Sequence, residues 1–203
     1  FVHKTDPEMW VKVYHLEDDS FKAKTVGGGD AGRIPAWSPD GGKLYFLTQE
    51  CTGIVQWDIF NPRQKESKSF PREIYGRYLS CSPKGAHLAF FQKSEEGKGK
   101  VDLCRWDIKK GEVDIVDRNL TTTETCSPAW SPESRFLCIL HNQTQDHLVL
   151  YDTKTNAKFQ IFKQTGNIQW IDWTYPTILT FSYREGIFTR PYLVHFVSWF
   201  AKY

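Results

Sequence analysis

The stretch IPAWSPDGGKLYFLTQ, residues 34–49, contains an abrupt stop between two apolar runs. The stop is the tetrapeptide Ser-Pro-Asp-Gly at 38–41. Proline presets φ for the second position of a type I turn, aspartate can bond its own backbone, and glycine tolerates positive φ. The flanking runs, at 35–37 and 44–47, contain residue types that favour strands. The stretch therefore predicts a tight hairpin between two strands.

The same stop occurs again further along the chain. Ser-Pro pairs begin at Ser38, Ser82 and Ser131, which gives steps of 44 and 49 residues, and a degraded copy begins at Ile171. A period of this size, with about four short strands in each repeat, is typical of a β-propeller. We expect Gly41 at positive φ, whereas the third copy lacks glycine at this turn position. The residues that define the repeat are Trp37, Pro39, Asp40, Gly41, Pro83, Gly85, Trp130 and Pro132.

A second motif repeats in step with the Ser-Pro turns. A strand that ends in aspartate follows each Ser-Pro turn, at Asp58, Asp107 and Asp152. We predict that these residues form turns or cap strand ends, because one aspartate per blade is too widely spaced for an acid–base pair. We likewise predict that Trp37 and Trp130 pack between neighbouring blades with their N–H groups bonded nearby. The chain is predicted to be one propeller domain, 1–203, with blades at about 1–27 (partial), 28–72, 73–119, 120–163 and 164–203.

Charge and hydropathy argue against several classes of partner. The chain has 26 basic and 24 acidic residues, a net charge of +2, so no nucleic-acid partner is expected. No apolar run reaches the length of a membrane span, so no membrane-spanning segment is expected. The first ten residues lack a signal-peptide apolar region, which leaves the compartment open with the cytoplasm slightly favoured. Sequons at Asn119 and Asn142 fall in predicted loops, and glycosylation there is the less favoured interpretation.

The motifs of common enzyme sites are missing from the sequence. It has no G-x-S-x-G nucleophile elbow, no P-loop and no H-E-x-x-H. The five cysteines include no C-x-x-C pair, so we expect no zinc site and interpret most of them as small hydrophobes in strands. His141 and His147 flank one predicted hairpin loop and are interpreted as solvated rather than metal-binding. We therefore expect no catalytic residue, no metal and no cofactor in this chain.

The segments RIPAWSPDGGKLYFL, YLSCSPKGAHLAFF and SPAWSPESRFLCIL resemble the repeats of TolB-type β-propellers and of prolyl-oligopeptidase and dipeptidyl-peptidase propellers. The resemblance covers most of residues 10–183. WD-repeat propellers are the second candidate, because Trp-Asp pairs occur at 57–58 and 106–107 without the Gly-His of that family. The resemblance implies one of two roles. TolB-like propellers bind protein partners, whereas a peptidase propeller covers a catalytic domain and filters its substrates.

Strand alternation places the connections of each blade on two faces. One face carries the connections from strand four of a blade to strand one of the next blade, and those from strand two to strand three within a blade. These connections are the irregular ones. Variable loops on a rigid scaffold commonly carry binding residues, and Arg and Tyr are enriched at protein hot spots. In the competing interpretation these arginines are solvated or pair with Asp30, Glu73, Glu124 and Glu185. The candidate partner-binding residues are Arg33, Arg72, Tyr75, Arg77, Arg118, Tyr183, Arg184 and Arg190.

The sequence thus favours a non-catalytic scaffold that binds a protein partner through this face. The alternative is the substrate-gating propeller of a serine peptidase whose catalytic domain lies outside this chain. A small-molecule ligand in the central funnel is a further alternative, because the fold by itself does not choose among these functions.

Overall fold

In the computed structural model, five antiparallel sheets follow one another along the chain, and consecutive strands pair within each sheet. The described part of the chain contains no helix, and so none long and apolar enough to cross a membrane. We call the sheets blades 1 to 5. Blade 1 contains β1 (Val2–Thr5), β2 (Glu8–Tyr14) and β3 (Ala23–Gly28); blade 2 contains β4 (Ala36–Trp37), β5 (Lys43–Leu47), β6 (Gly53–Asp58) and β7 (Lys65–Ser69); blade 3 contains β8 (Ile74–Cys81), β9 (His87–Lys93), β10 (Val101–Asp107) and β11 (Glu112–Leu120); blade 4 contains β12 (Ala129–Trp130), β13 (Phe136–Asn142), β14 (Asp146–Asp152) and β15 (Ala157–Gln164); blade 5 contains β16 (Asn167–Tyr175), β17 (Ile178–Glu185) and β18 (Phe188–His195). The structure describes residues 2–5, 8–14, 23–28, 34–48, 50–61, 63–123, 127–142, 146–164 and 167–196.

The serine of each Ser-Pro pair closes its own turn. Its hydroxyl oxygen accepts the backbone N–H of the residue five positions later, at 2.8 Å for Ser38, 3.0 Å for Ser82 and 2.9 Å for Ser131. Its carbonyl oxygen accepts the N–H of the residue three positions later, at 2.8–2.9 Å. The bond to Ser131 is buried, so it satisfies a backbone donor that water does not reach.

The third turn uses the same backbone conformation as the other two, although it lacks glycine. Gly41 and Gly85 have φ of 70° and 71°, as the turn requires. Ser134, at the matching position, has φ of 63°. In this copy a serine therefore adopts the left-handed backbone conformation, which is strained for residues other than glycine. The hydroxyl oxygen of Ser134 also accepts the N–H of Lys84 at 2.9 Å, which ties the turns of blades 3 and 4 together.

Neighbouring blades bury their cores between them. The contacts run between the innermost strands of consecutive blades, from β4 to β8, β8 to β12 and β12 to β16. Trp130 lies in this interface as predicted, and its Nε1–H donates to the carbonyl of Ser80 at 3.0 Å. Trp173, in the degraded fourth copy, donates to the carbonyl of Ala129 at 3.2 Å. The repeated tryptophan is therefore an interblade residue in blades 4 and 5.

The prediction for Trp37 was wrong, because this ring is 46% exposed. Each of blades 2, 3 and 4 ends with its outermost strand, and the chain then enters the innermost strand of the next blade. Since β3 precedes the innermost strand of blade 2, it is the outermost strand of blade 1. The two other strands of blade 1 then take its third and second positions. The described residues supply no innermost strand in blade 1, and Trp37 lacks the neighbour that Trp130 has.

Three of the described cysteines are core residues. Cys51, Cys104 and Cys138 are buried, and Cys81 is half-buried in β8 where the other copies have tryptophan. Burial raises the pKa of Cys104 to about 12 and that of Cys81 to about 11, which keeps both as thiols at neutral pH. Cys126 lies outside the described residues.

Candidate functional site

The irregular connections share one face of the propeller, as the alternation of strand direction requires. We call this the loop face, and the opposite face the turn face. Within the described residues, the loop face comprises 34–35, 48, 50–52, 70–73, 94–100, 121–123, 127–128 and 186–187. Within the same residues, the turn face comprises the short connections at 38–42, 59–61, 63–64, 82–86, 108–111, 131–135, 153–156 and 176–177.

A buried carboxylate anchors the loop face in blade 3. The side chain of Asp102 is 1% exposed, and its Oδ2 accepts Nη1–H of Arg72 at 2.7 Å. Its Oδ1 accepts the backbone N–H of Asn119 at 3.1 Å, and Nη1 of Arg118 lies 3.9 Å from Oδ2. Burial opposes ionisation, but these hydrogen bonds outweigh it and hold the pKa of Asp102 below its ordinary value. The carboxylate is therefore ionised and fully partnered at neutral pH.

Arg72 also holds neighbouring backbone in place. Its Nη1 donates to the carbonyl of Lys93 at 3.0 Å, and its own carbonyl accepts Nε2–H of Gln92 at 2.7 Å. Its Nε lies 3.8 Å from Oε1 of Glu95. Arg72 thus joins the connection between blades 2 and 3 to strands β9 and β10, and its charge is used inside the molecule.

Asn119 connects the end of β11 to the loop at 94–100. It has φ of 56°, and its Oδ1 accepts the hydroxyl of Ser94 at 2.7 Å. Its Nδ2 donates to Oε2 of Glu96. A glycan here would replace one of the two hydrogens on the nitrogen that donates to Glu96. The other sequon residue, Asn142, is half-buried at the end of β13, where its backbone N–H donates to the carbonyl of Thr121 at 2.6 Å.

A cavity of about 440 Å³ lies beside this network on the loop face. Tyr75, Val101 and the segments 93–95 and 97–100 line it. The hydroxyl of Tyr75 donates to the carbonyl of Thr122 at 3.5 Å, and Tyr75 forms part of the cavity wall. The cavity thus combines an aromatic wall with the lysines of a glycine-containing loop.

The other loop-face candidates are scattered. Tyr183 is 1% exposed and packs edge-on against other aromatic rings of the core, so its prediction as a surface residue was wrong. Strand β17 continues through Glu185, which places this ring on the buried side of the sheet. Arg184 and Arg190 are exposed in blade 5. Arg33 and the side chain of Arg77 lie outside what the structure describes.

The predicted pairing of these arginines with neighbouring acidic residues takes a different form. Glu73 pairs with Lys93 rather than with an arginine. Arg72 is bound to Asp102, which no loop pattern in the sequence indicates because this residue lies inside a strand. Asp30 and Glu124, and the side chain of Glu185, are outside the described part of the chain.

The strand-end aspartates bind backbone amides of the turns that follow them. Oδ1 of Asp58 accepts the N–H groups of Phe60 and Asn61 at 2.9 and 2.8 Å. Oδ1 of Asp107 accepts the N–H of Lys110 at 2.9 Å. Oδ1 of Asp152 accepts the N–H of Lys154 at 2.9 Å. These carboxylates act as turn caps.

The turn face has a cavity that sequence reasoning missed. It measures about 560 Å³ and lies between blades 2 and 3, with Trp106, Lys109 and Lys110 in its lining. Nε1 of Trp106 is buried and has no hydrogen-bond acceptor within the described residues. Because this cavity forms only where two blades meet, no local pattern in the sequence indicates it.

The interpretation of His141 as solvated was wrong, because its Nε2 is buried and has no hydrogen-bond partner within the described residues. His141 and His147 are opposite each other in the β13–β14 ladder, with ring centroids 6.1 Å apart. Burial lowers the pKa of His141, which favours its neutral form. Among the described residues, no cluster of three potential ligands could hold a metal ion.

Solved propellers are similar to this chain across most of its length. TolB from Acinetobacter baumannii is 16% identical with a TM-score of 0.71, and the match covers 94% of this chain and 47% of that one. A putative TolB from Agrobacterium tumefaciens is 16% identical with a TM-score of 0.68, covering 92% and 65%. A chain of a nidogen/laminin complex is 11% identical with a TM-score of 0.63, covering 95% and 73%.

These likenesses show the fold, a TolB-like β-propeller. The chain spans about half of the first TolB structure and about two thirds of the second. No protein-family model matches the sequence. No curated protein matches it either.

Proposed function

We propose that this chain is a non-catalytic β-propeller domain that binds a protein partner through the loop face of blade 3. The observation that carries the proposal is the 440 Å³ cavity beside the loop at 94–100. Its volume is large enough to admit a large side chain of a partner, and anchors of this kind dominate protein interfaces.

The anchored base of the loop supports this role. Asp102, Arg72 and Asn119 join β10, β11 and the preceding connection through buried hydrogen bonds. A preorganised surface loses less conformational entropy on association than a mobile one. The ring of Tyr75 adds apolar area with a polar edge, a combination common at protein hot spots.

Several cations near this cavity are open to solvent, and Lys98 and Arg118 are two of them. Lys98 is exposed in the loop, and the side chain of Arg118 is 62% exposed at 3.9 Å from Asp102. They are better candidates for partner contact than Arg72, which is 16% exposed and holds the carboxylate of Asp102.

The similar structures support a protein partner by analogy of fold alone. The nidogen/laminin structure is a complex of two proteins that includes a propeller similar to this chain. Because one fold hosts unrelated functions, this analogy supports the class of partner and not its identity.

The experiment compares two double variants as bait in a pull-down from the native source. Lys98→Glu with Arg118→Ala alters the loop face, and Lys109→Glu with Lys154→Ala alters the turn face. We expect the first variant to lose about tenfold or more of the captured partner, the scale of a hot-spot loss, and the second to retain it. Thermal melts of all baits check that each is folded.

The turn-face variant also tests the rival surface, because Lys109 lines the 560 Å³ cavity. Loss of the partner with this variant, and retention with the loop-face variant, would place the interface on the turn face. Equal capture by both variants and the parent would contradict a role for either cavity.

A further inference from the structure

The turn-face cavity between blades 2 and 3 lies at a position that repeats in the next two interfaces. In each of blades 2, 3 and 4, the residue two positions before the strand-end aspartate lies at the interface with the following blade. A residue of the outermost strand is its ladder partner. These pairs are Gln56 with Glu66 in blade 2, Arg105 with Asp114 in blade 3, and Leu150 with Phe159 in blade 4. The three interfaces differ in how the pair fills them.

In blade 3 the pair closes the interface with a guanidinium bridge. Nη2 of Arg105 donates to Oδ2 of Asp114 at 2.6 Å, and its Nε donates to Oδ1 at 3.2 Å. The remaining Nη1 donates to the carbonyl of Thr153 in blade 4 at 3.1 Å. In blade 4 the pair is apolar, and Leu150 and Phe159 pack in the core shared with blade 5. Both interfaces are therefore filled by side chains of the chain itself.

In blade 2 the pair leaves its space open. Gln56 and Glu66 both line the 560 Å³ cavity, and glutamine is shorter than arginine and carries no charge. Glu66 holds the ladder position of Asp114, but it has no ion pair within the described residues. Ile108, the residue after the strand-end aspartate, corresponds to Thr153 and also lines the cavity. The lining thus keeps the carboxylate and the carbonyl position of the neighbouring interface and lacks its guanidinium.

The backbone supports the correspondence between Ile108 and Thr153. The N–H of Ile108 donates to the carbonyl of Ala86 at 3.0 Å, and that of Thr153 donates to the carbonyl of Arg135 at 2.9 Å, so both residues hold the same place after their strands. The carbonyl of Thr153 accepts the N–H of Arg105, whereas that of Ile108 accepts no hydrogen bond within the described part of the chain. The carbonyl in the first interface is therefore an acceptor without a donor.

We infer that this cavity binds a guanidinium group, supplied by a small organic cation or by an arginine side chain of a peptide. The planar group offers parallel N–H donors to the carboxylate of Glu66 and a further donor to the carbonyl of Ile108, which repeats the contacts of Arg105. Trp106 and Ile108 supply an apolar wall for the alkyl part. This site is separate from the loop-face cavity and does not depend on the function proposed for it.

The lysines of the lining are compatible with a bound cation. Lys43 is the ladder partner of Asp58, and Nζ of Lys110 lies 3.8 Å from the strand-end carboxylate of blade 3. Lys109 lies two positions after its strand-end aspartate, as Lys154 does in blade 4. The interface beside Lys154 holds a guanidinium all the same. The volume of about 560 Å³ is also typical of small-ligand sites.

The test measures binding of propylguanidinium to the full 203-residue chain by NMR. The reporter is the indole N–H resonance of Trp106, one of eight tryptophans, which the spectrum of Trp106→Phe identifies. We expect a saturable shift, and about tenfold weaker binding of the uncharged analogue propylurea, the scale of a charge-assisted hydrogen bond. A capped Gly-Arg-Gly peptide distinguishes the two sources. A saturable shift with it assigns the site to an arginine side chain, and a shift with propylguanidinium alone assigns it to a small cation.

Three protein variants locate the binding. Gln56→Arg places the chain's own guanidinium opposite Glu66, as in blade 3, and we expect it to weaken propylguanidinium binding about tenfold without lowering the melting temperature. Glu66→Gln removes the carboxylate and should weaken binding by a similar factor. Glu50→Gln, on an exposed glutamate at the loop face of the same blade, should leave the affinity unchanged. No saturable shift, equal binding of propylurea, unchanged affinity in Gln56→Arg, or equal effects of the two glutamate variants would overturn the inference.

Discussion

Each Ser-Pro turn depends on one hydroxyl oxygen, because that atom accepts a backbone N–H that the strand ladder does not reach. The serine explains why the motif is Ser-Pro-Asp-Gly rather than Pro-Asp-Gly alone. Pro and Gly set the backbone angles of the turn, whereas serine satisfies the donor at its exit.

Ser131→Ala should destabilise the protein by about 1–3 kcal/mol, because it leaves the buried N–H of Phe136 without a partner. Ser67→Ala, on the exposed strand β7, is the matched control and should change the free energy of unfolding by less than about 0.5 kcal/mol. Urea unfolding curves of the two variants provide the measurement. Equal midpoints would show that the hydroxyl has no special role.

At this scale the sequence predicts turn chemistry well and side-chain orientation poorly. The turn aspartates and the positive φ of Gly41 follow from the local preferences of the residue types. The orientation of Tyr183 does not, because a strand alternates its side chains and an error of two residues in the end of β17 turns a core residue into a loop residue.

At the scale of elements, Arg72 and its ion pair with Asp102 hold the connection between blades 2 and 3 against strands β9 and β10. A buried pair of this kind is weak support for stability by itself, but removing one partner leaves an uncompensated charge. The sequence pointed to Arg72 as a contact residue because it lies in a loop. Its partner lies across the sheet, 30 residues away, which a local pattern does not reveal.

Arg72→Ala should lower the free energy of unfolding by about 3 kcal/mol, because Asp102 then stays buried with only part of its compensation. Arg118→Ala removes a more distant and more exposed charge from the same carboxylate and should cost about 1 kcal/mol or less. Chemical denaturation compares them. Greater destabilisation by Arg118→Ala would reverse the roles assigned to the two arginines.

At the scale of the whole molecule, the spacing of the Ser-Pro copies predicts the propeller, because each repeat must form one sheet with a core on both sides. The sequence does not predict which copies of a repeated residue are covered. Trp130 and Trp37 occupy the same repeat position, yet only Trp130 has a described neighbour to pack against. Burial at a blade interface is a property of two blades.

The acid stability of the whole domain should depend on Asp152. Burial opposes its ionisation, but hydrogen bonds from Arg135 and the Lys154 amide outweigh this and hold the pKa at about 2, against an ordinary 3.8. A depressed folded pKa contributes stability above about pH 4 that is lost as pH falls toward 2. Melting temperatures between pH 6 and 2 should therefore fall less steeply for Asp152→Asn than for the parent, and parallel profiles would contradict this.

The bonds from tryptophan to the preceding blade also bear on how such a chain grows. Each joins residues about one repeat apart, 50 positions for Trp130 and 44 for Trp173. The entropy lost in closing a loop depends on its length, so every new interface costs about the same whichever blade it adds. Through these two bonds a newly synthesised chain can therefore add a blade as soon as the preceding one is present, because neither bond waits for a distant part of the polypeptide.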